Sequence, residues 1–287
     1  DCQLRQGTTQ TYLPHFQFQD GTIEWDNKQY KLERISLVNQ SVTHPSDWLY
    51  AYALHPVDMP RSNSMLIFPA TLSPGFIGFW PSLKADLMPM TNVGATLFHK
   101  KNLADFFARQ QNKVDVLGAS LGGALAQLAV IYHSDKLANI TVFNAPGFKN
   151  KAWVKKFNQA ISANKAIQYA RYDSLGDPVS ALGWLPQIGG RVKFYSLKAT
   201  NDQFLLPKKQ QGFGLAGLIG PVKDRLLVHM MCPLAVKNVT ICKNEVTSNP
   251  VSRQVKTATF LGVGRLILFP FLAMADLLLK IKRSRVM

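Results

Sequence analysis

Val114-Asp115-Val116-Leu117-Gly118-Ala119-Ser120-Leu121-Gly122-Gly123-Ala124-Leu125-Ala126 is the stretch on which the reading of this chain turns. Residues 113–117 have the apolar, β-branched character of a buried strand. Residues 121–132 carry Ala, Leu and Gln without a proline, which suits a buried helix. A Gly-x-Ser-x-Gly turn therefore places Ser120 at a strand-to-helix junction. That context predicts a nucleophile elbow, a sharp turn that holds a serine hydroxyl clear of both elements. Gly118 and Gly122 would let strand and helix pack closely enough to make it. The pattern without its context is weak, because glycine makes up about 7% of an average sequence. The competing reading is a glycine-rich strand-to-helix turn in some other α/β domain.

Outward from the elbow, the flanking segments alternate in type. Strands are expected at 139–144, 166–172 and 191–197, with a helix at 150–162 between the first two. Upstream, 48–54 and 65–68 read as two more strands, separated by a proline-containing loop. Residues 15–37 alternate polar and apolar (Phe16, Phe18, Ile23, Trp25, Tyr30, Leu32), with turn signals at Asp20-Gly21 and Asp26-Asn27. These predict a small antiparallel N-terminal β segment. The β-α-β-α-β alternation predicts an α/β fold with a mostly parallel central sheet flanked by helices. The expected domain runs over residues 1–243, followed by a linker at 244–256.

The tail, 257–287, differs in composition. Residues 261–279 carry only Arg265 and Asp276 as charges, and Lys280, Lys282, Arg283 and Arg285 follow. Three readings stand: a membrane span weakened by two charges and Pro270, an interfacial helix with a basic anchor, or a buried helix that closes the domain. The chain starts at Asp1 without a signal-peptide pattern, which reads as a processed or excised piece of something longer.

Length and composition bound the rest. A chain of 287 residues fits one large α/β domain or two small ones, and 47% hydrophobic residues suffice for a sizeable core. The formal net charge of +16 favours an anionic partner. No zinc-finger, RRM or helix-turn-helix signature is present, so an anionic lipid surface is expected rather than nucleic acid. The alternative is charge kept for solubility. Three cysteines, Cys2, Cys232 and Cys242, argue against a disulfide scaffold, and a Cys232–Cys242 bridge stays open. No His/Cys/Asp cluster has ligand spacing, so neither metal nor other cofactor is expected.

A serine hydroxyl needs a general base to take its proton, and the base needs a carboxylate to hold its tautomer. In a hydrolase of this elbow type the chain order is Ser, then Asp or Glu, then His. Of six histidines, only His133 and His229 follow Ser120. His133 would end the helix that Ser120 starts, several turns away, as a solvated helix-end residue. His229 is left as the base. Asp177, in Asp173-Ser174-Leu175-Gly176-Asp177-Pro178-Val179, follows a strand within turn chemistry that would aim it across the sheet edge. Asp173 is the rival carboxylate, and Asp224 fits better as a helix cap for the segment before His229.

With these residues in place, 48–232 resembles the class 3 (fungal-type) lipase family of the α/β-hydrolase superfamily. The elbow Gly118-Ala119-Ser120-Leu121-Gly122-Gly123-Ala124 is similar to that family's own. Phe68-Pro69-Ala70-Thr71 stands where the family has a Phe-Arg-Gly-Thr-like oxyanion strand end, and Trp80 to Asp86-Leu87 resembles the Trp-x(n)-Asp-Leu step that follows. Phe143-Asn144-Ala145-Pro146-Gly147 is similar to the family's Pro-Arg-x-Gly-Asn-like turn. Asp177-Pro178-Val179, with Leu185-Pro186 beyond, matches the segment of the family's catalytic Asp, and His229 follows at a family-like distance. Ala119 replaces a usual His, and Pro69-Ala70 replaces Arg-Gly.

The resemblance implies a serine lipid-ester hydrolase, an acylglycerol lipase or a phospholipase A, working through an acyl-enzyme. Ser120 would attack, His229 would act as base and Asp177 would orient it. The N–H of Leu121 and the N–H and hydroxyl of Thr71 would hold the oxyanion. The glycine- and proline-flanked apolar stretches at 73–81 and 203–220 read as lid or lipid-contacting loops, or as loops folded on the core. Together with the charge they imply a membrane-associated protein, secreted or translocated, acting on lipid aggregates. The alternatives are a catalytically impaired membrane-binding module that keeps a hydrolase fold, and a soluble carboxylesterase or thioesterase.

Overall fold

The computed structural model describes residues 21–25, 28–38, 49–59, 62–71, 82, 85–86, 92–98, 101–174, 177, 179–180, 182–186, 192–199 and 239–243. All of them fall in the compact unit Asp1–Thr247. His229, Cys2, Cys232, the loops at 73–81 and 203–220, the linker at 244–256 and the tail at 257–287 lie outside the described residues.

The fold is α/β. Nine strands form one sheet in strict chain order: β1 Thr22–Trp25, β2 Lys28–Ser36, β3 Tyr50–Pro56, β4 Ser64–Phe68, β5 Val114–Ala119, β6 Leu137–Phe143, β7 Gln168–Ser174, β8 Val192–Ala199 and β9 Val239–Lys243. Four described helices accompany it: α1 Ala95–Phe98, α2 Lys101–Arg109, α3 Leu121–His133 and α4 Lys151–Ala163. The strands β4 to β8 pair in parallel. The pairs β1–β2, β2–β3, β3–β4 and β8–β9 are antiparallel. The five central strands are parallel and the N-terminal strands antiparallel, as expected, and the sheet as a whole is mixed. The reason lies in the connections. A parallel crossover needs a dozen or more residues, whereas β1 and β2 are joined across Asp26-Asn27 and β3 and β4 by 57–63.

The core follows from periodicity. Alternate residues of the central strands, Leu66, Phe68, Val114, Val116, Ile140 and Val142, are buried together with α3. Every residue of α3 from Leu121 to Val130 is buried, as its all-round apolar composition requires. The amphipathic α4 buries Phe157 and Ile161 and turns its lysines outward. Asn150 starts α4 by accepting the N–H groups of Ala152 and Trp153 on its side-chain oxygen. Among the described residues no helix is long and apolar enough to cross a membrane.

Parallel pairing sets where chemistry can gather. β5, β6 and β7 all end at one edge, so Ser120, Asn144 and the turn carrying Asp177 share that edge. β5 and β7 lie two strands apart, roughly 10 Å.

Candidate active site

Ser120 occupies a backbone conformation that an L residue rarely adopts, with φ 54° and ψ −120°. It lies outside the left-handed helical well as well as the right-handed one. Such a residue costs about 1–3 kcal/mol and persists only where its surroundings over-determine it. Here they do. The Ser120 N–H donates to the Phe143 carbonyl at 2.9 Å, which ties the turn to β6. The Ser120 carbonyl accepts the Ala124 N–H at 3.1 Å, which starts α3. The Ser120 side chain makes no capping hydrogen bond to its own helix.

The two elbow glycines are explained by contact. A Cβ on Gly118 would lie 2.1 Å from the Gly122 carbonyl oxygen. A Cβ on Gly122 would lie 2.3 Å from the Phe68 carbonyl oxygen and 2.7 Å from that of Pro69. The second contact also presses the start of α3 onto the end of β4. It brings the Phe68-Pro69-Ala70-Thr71 segment beside the elbow, at the same edge as Ser120.

Thr71 is tied on its far side. Its hydroxyl donates to Asp86 Oδ2 at 2.5 Å. A hydroxyl has one proton to give, and here that proton goes to Asp86 rather than toward the elbow. The N–H of Leu121 lies in the first turn of α3, where backbone donors have no intrahelical partner.

Asp177 is buried, with 3% of its surface exposed. Its Oδ1 accepts the Val179 N–H at 2.8 Å, and its carbonyl accepts the Ser180 hydroxyl at 3.2 Å. The rival Asp173 is engaged elsewhere: its Oδ2 accepts Arg171 Nε at 2.7 Å. Arg171 is fully buried on β7. Burial works against its charge, and Asp173 together with Tyr169 more than offsets this. The Arg171 guanidinium also donates to the carbonyls of Ala145 and Ser180. It thereby joins the β6–α4 loop to the Asp177 turn.

Asn144 completes the edge. Its φ of 47° is positive, which asparagine tolerates better than most residues. Its N–H donates to the Tyr172 carbonyl at 2.8 Å, and its Oδ1 accepts the Ser174 N–H at 2.7 Å. The Asp177 N–H then donates to the Ser174 carbonyl at 3.1 Å. A continuous hydrogen-bonded path so runs from Ser120 through β6 to Asp177.

Neither described histidine serves Ser120. His133 ends α3, about 20 Å along the helix axis. It is not the solvated residue expected, since its ring stacks on Phe107 at 4.2 Å between centroids and also meets Phe98. Burial lowers its pKa. His55 bonds Glu33 at 2.9 Å and Ser64 at 3.0 Å. Ser64 pairs with Val114 at the opposite end of β5 from Ser120. Part-burial works against the Glu33 charge, but hydrogen bonds from Arg109 and His55 prevail and lower its pKa.

Three supporting residues escaped the sequence reading. Asp86 was part of a recognised step but had no assigned partner. Asn144 was visible only as a turn residue. Arg171 had a signal: it stands two residues from Tyr169 and Asp173 in a strand, hence on their face. No known family model matches this chain, and no curated protein sequence matches it.

Proposed function

We propose that this chain is a serine carboxylic-ester hydrolase with an α/β-hydrolase fold, similar to class 3 lipases, acting on lipid esters at a lipid surface. The observation that carries the reading is the strained Ser120, φ 54° and ψ −120°, between strand β5 and helix α3. A serine is held in this way where its hydroxyl must project clear of the backbone.

In this reading Ser120 Oγ attacks the ester carbonyl carbon as its proton passes to His229. The carbonyl oxygen becomes an oxyanion between the N–H groups of Leu121 and Thr71. Each such donor typically contributes about 3 kcal/mol to lowering the barrier. Collapse breaks the bond to the alcohol oxygen, which takes the proton from His229, and leaves an acyl-Ser120. Water, deprotonated by His229, then attacks the acyl carbon; the bond to Ser120 Oγ breaks, that oxygen takes the proton back from His229, and the fatty acid leaves. Asp177 orients His229 and stabilises its charged form. The net charge of +16 supports an anionic membrane surface as the place of action. Acylglycerol and phospholipid esters both fit this chemistry.

Treatment with a fluorophosphonate should label Ser120, and Ser120→Ala should remove both label and ester hydrolysis while the fold persists. A wild-type protein that takes no label, or a fully active Ser120→Ala, would overturn the reading. The unlabelled outcome would instead favour a membrane-binding module that keeps the fold without the chemistry.

A further inference from the structure

We propose that the outer face of the first two turns of α4 is the surface by which this protein docks onto anionic lipid, with the Ser120 edge of the sheet turned toward the bilayer. The inference rests on the lipid-hydrolase reading for its biological sense, but its physical basis is separate. From Lys136 to Tyr172 the chain has no Asp or Glu. Within that span Lys149, Lys151, Lys155 and Lys156 are all exposed. They gather at the N-terminal half of α4, spread over about 10 Å of helix axis.

This placement works against the helix itself. Cations at a helix N-terminus oppose the macrodipole, and α4 has no acidic residue in its first turn. Lys151 and Lys155 are like charges four residues apart, which also destabilises a helix. A face kept for solubility alone would mix both signs. An anionic surface removes both penalties.

Aromatic groups mark the face as interfacial. Lys151 Nζ lies 4.8 Å from the Trp184 ring centroid, and Lys156 Nζ lies 5.1 Å from that of Trp153. Both tryptophans are half-buried. Tryptophan beside lysine at a surface is the pairing that suits the headgroup region of a bilayer, where an apolar ring and a cationic tip meet different layers.

The face is also coupled to the candidate site. Phe148 and Trp184 form a β-bridge, with N–H to carbonyl distances of 2.8 Å and 2.7 Å. Trp184 belongs to the segment that follows Asp177, and Phe148 to the loop that follows Asn144. Lipid held at α4 would therefore lie at the end of the sheet where Ser120, Asn144 and Asp177 gather.

The test is flotation of the Ser120→Ala protein, which cannot consume the lipid, with vesicles of phosphatidylcholine alone or with 30 mol% phosphatidylserine. Three substitutions, Lys151→Gln, Lys155→Gln and Lys156→Gln, are compared with Lys28→Gln, Lys31→Gln and Lys101→Gln, which remove the same charge elsewhere. Each lysine near an anionic surface contributes about fivefold to binding. The α4 set should weaken binding to anionic vesicles by about a hundredfold, and the control set by less than about threefold. Hydrolysis of a short soluble ester by the otherwise wild-type α4 variant should stay unchanged. Equal losses from both sets would show that net charge rather than this face binds, and would overturn the proposal. So would equal binding to neutral vesicles, or a single-stranded oligonucleotide that binds α4 as tightly as the vesicles do. Loss of vesicle binding by the α4 set in a protein with no esterase activity would sink the hydrolase reading and leave the docking face standing.

Discussion

The Thr71 hydroxyl gives its proton to Asp86 Oδ2 at 2.5 Å. Two segments with no common secondary structure are so joined beside the elbow, and the hydroxyl becomes an anchor for the Thr71 backbone. Thr71→Val keeps the N–H and removes the anchor. A neutral hydrogen bond contributes about 1 kcal/mol and one to a charged group about 1.5–3, so kcat should fall by between about tenfold and about 150-fold. Asp86→Asn keeps an acceptor and should lose less than Thr71→Val does. A loss of several hundredfold in Thr71→Val with unchanged Asp86→Asn would mean that the hydroxyl itself meets the oxyanion.

The elbow makes a prediction about stability that needs no substrate. Alanine at Gly118 or Gly122 places a Cβ 2.1 or 2.3 Å from a backbone oxygen, which cannot rotate away. Each change should cost about 3 kcal/mol or more in urea unfolding. Ser120→Gly relieves the positive φ and should be about 1 kcal/mol more stable than Ser120→Ala. If Gly118→Ala unfolded at the wild-type midpoint, the tight turn would be wrong.

Much of this frame was legible because the strands and helices announce themselves by period. The hairpin at Asp26-Asn27, the strands flanking Ser120 and the helix after Asn150 all stand within a few residues of where their patterns place them. Helix α2 was missed although Leu103, Phe106 and Phe107 have helical spacing. Strand β9 was missed despite the β-branched Val239, Thr240 and Ile241. Sheet direction was legible in the parallel middle and the antiparallel N-terminal hairpin, but not for the antiparallel β3–β4 and β8–β9 pairs. Pairwise side-chain partners could not be read at all. That Asp86 meets Thr71, or that Asn144 bonds Ser174, depends on which loops the sheet brings to one edge.

Asp173 and Asp177 should separate by assay. Arg171 is buried and its Nε bonds Asp173, so Asp173→Asn leaves a buried guanidinium without its counter-charge. Removing one member of such a pair typically costs about 3–5 kcal/mol. Asp177→Asn keeps an oxygen for the Val179 N–H and should cost about 1 kcal/mol or less. In the proposed triad, however, it should reduce kcat about ten-thousandfold. The signature is an unstable, active Asp173 variant and a stable, inactive Asp177 variant, read by melting temperature and ester turnover. The reverse pattern would exchange their roles.

His133 gives a pH dependence of known sign. Burial lowers its folded pKa below the ordinary 6.5, so the unfolded chain binds its proton more readily. Its contribution to stability is present above pH 6.5 and is lost as pH falls from there toward the folded value. Glu33 is also lowered, from an ordinary 4.5, so its contribution is lost only on falling through still more acidic values. Between pH 7.5 and 5.5 the histidine is therefore the member of this pair that responds. His133→Phe keeps an aromatic ring against Phe107 and Phe98 but cannot take up a proton. Melting temperatures recorded at both pH values should show a smaller acid-induced drop in His133→Phe than in wild type. An identical drop in both proteins would mean that His133 takes up its proton equally well in the folded state.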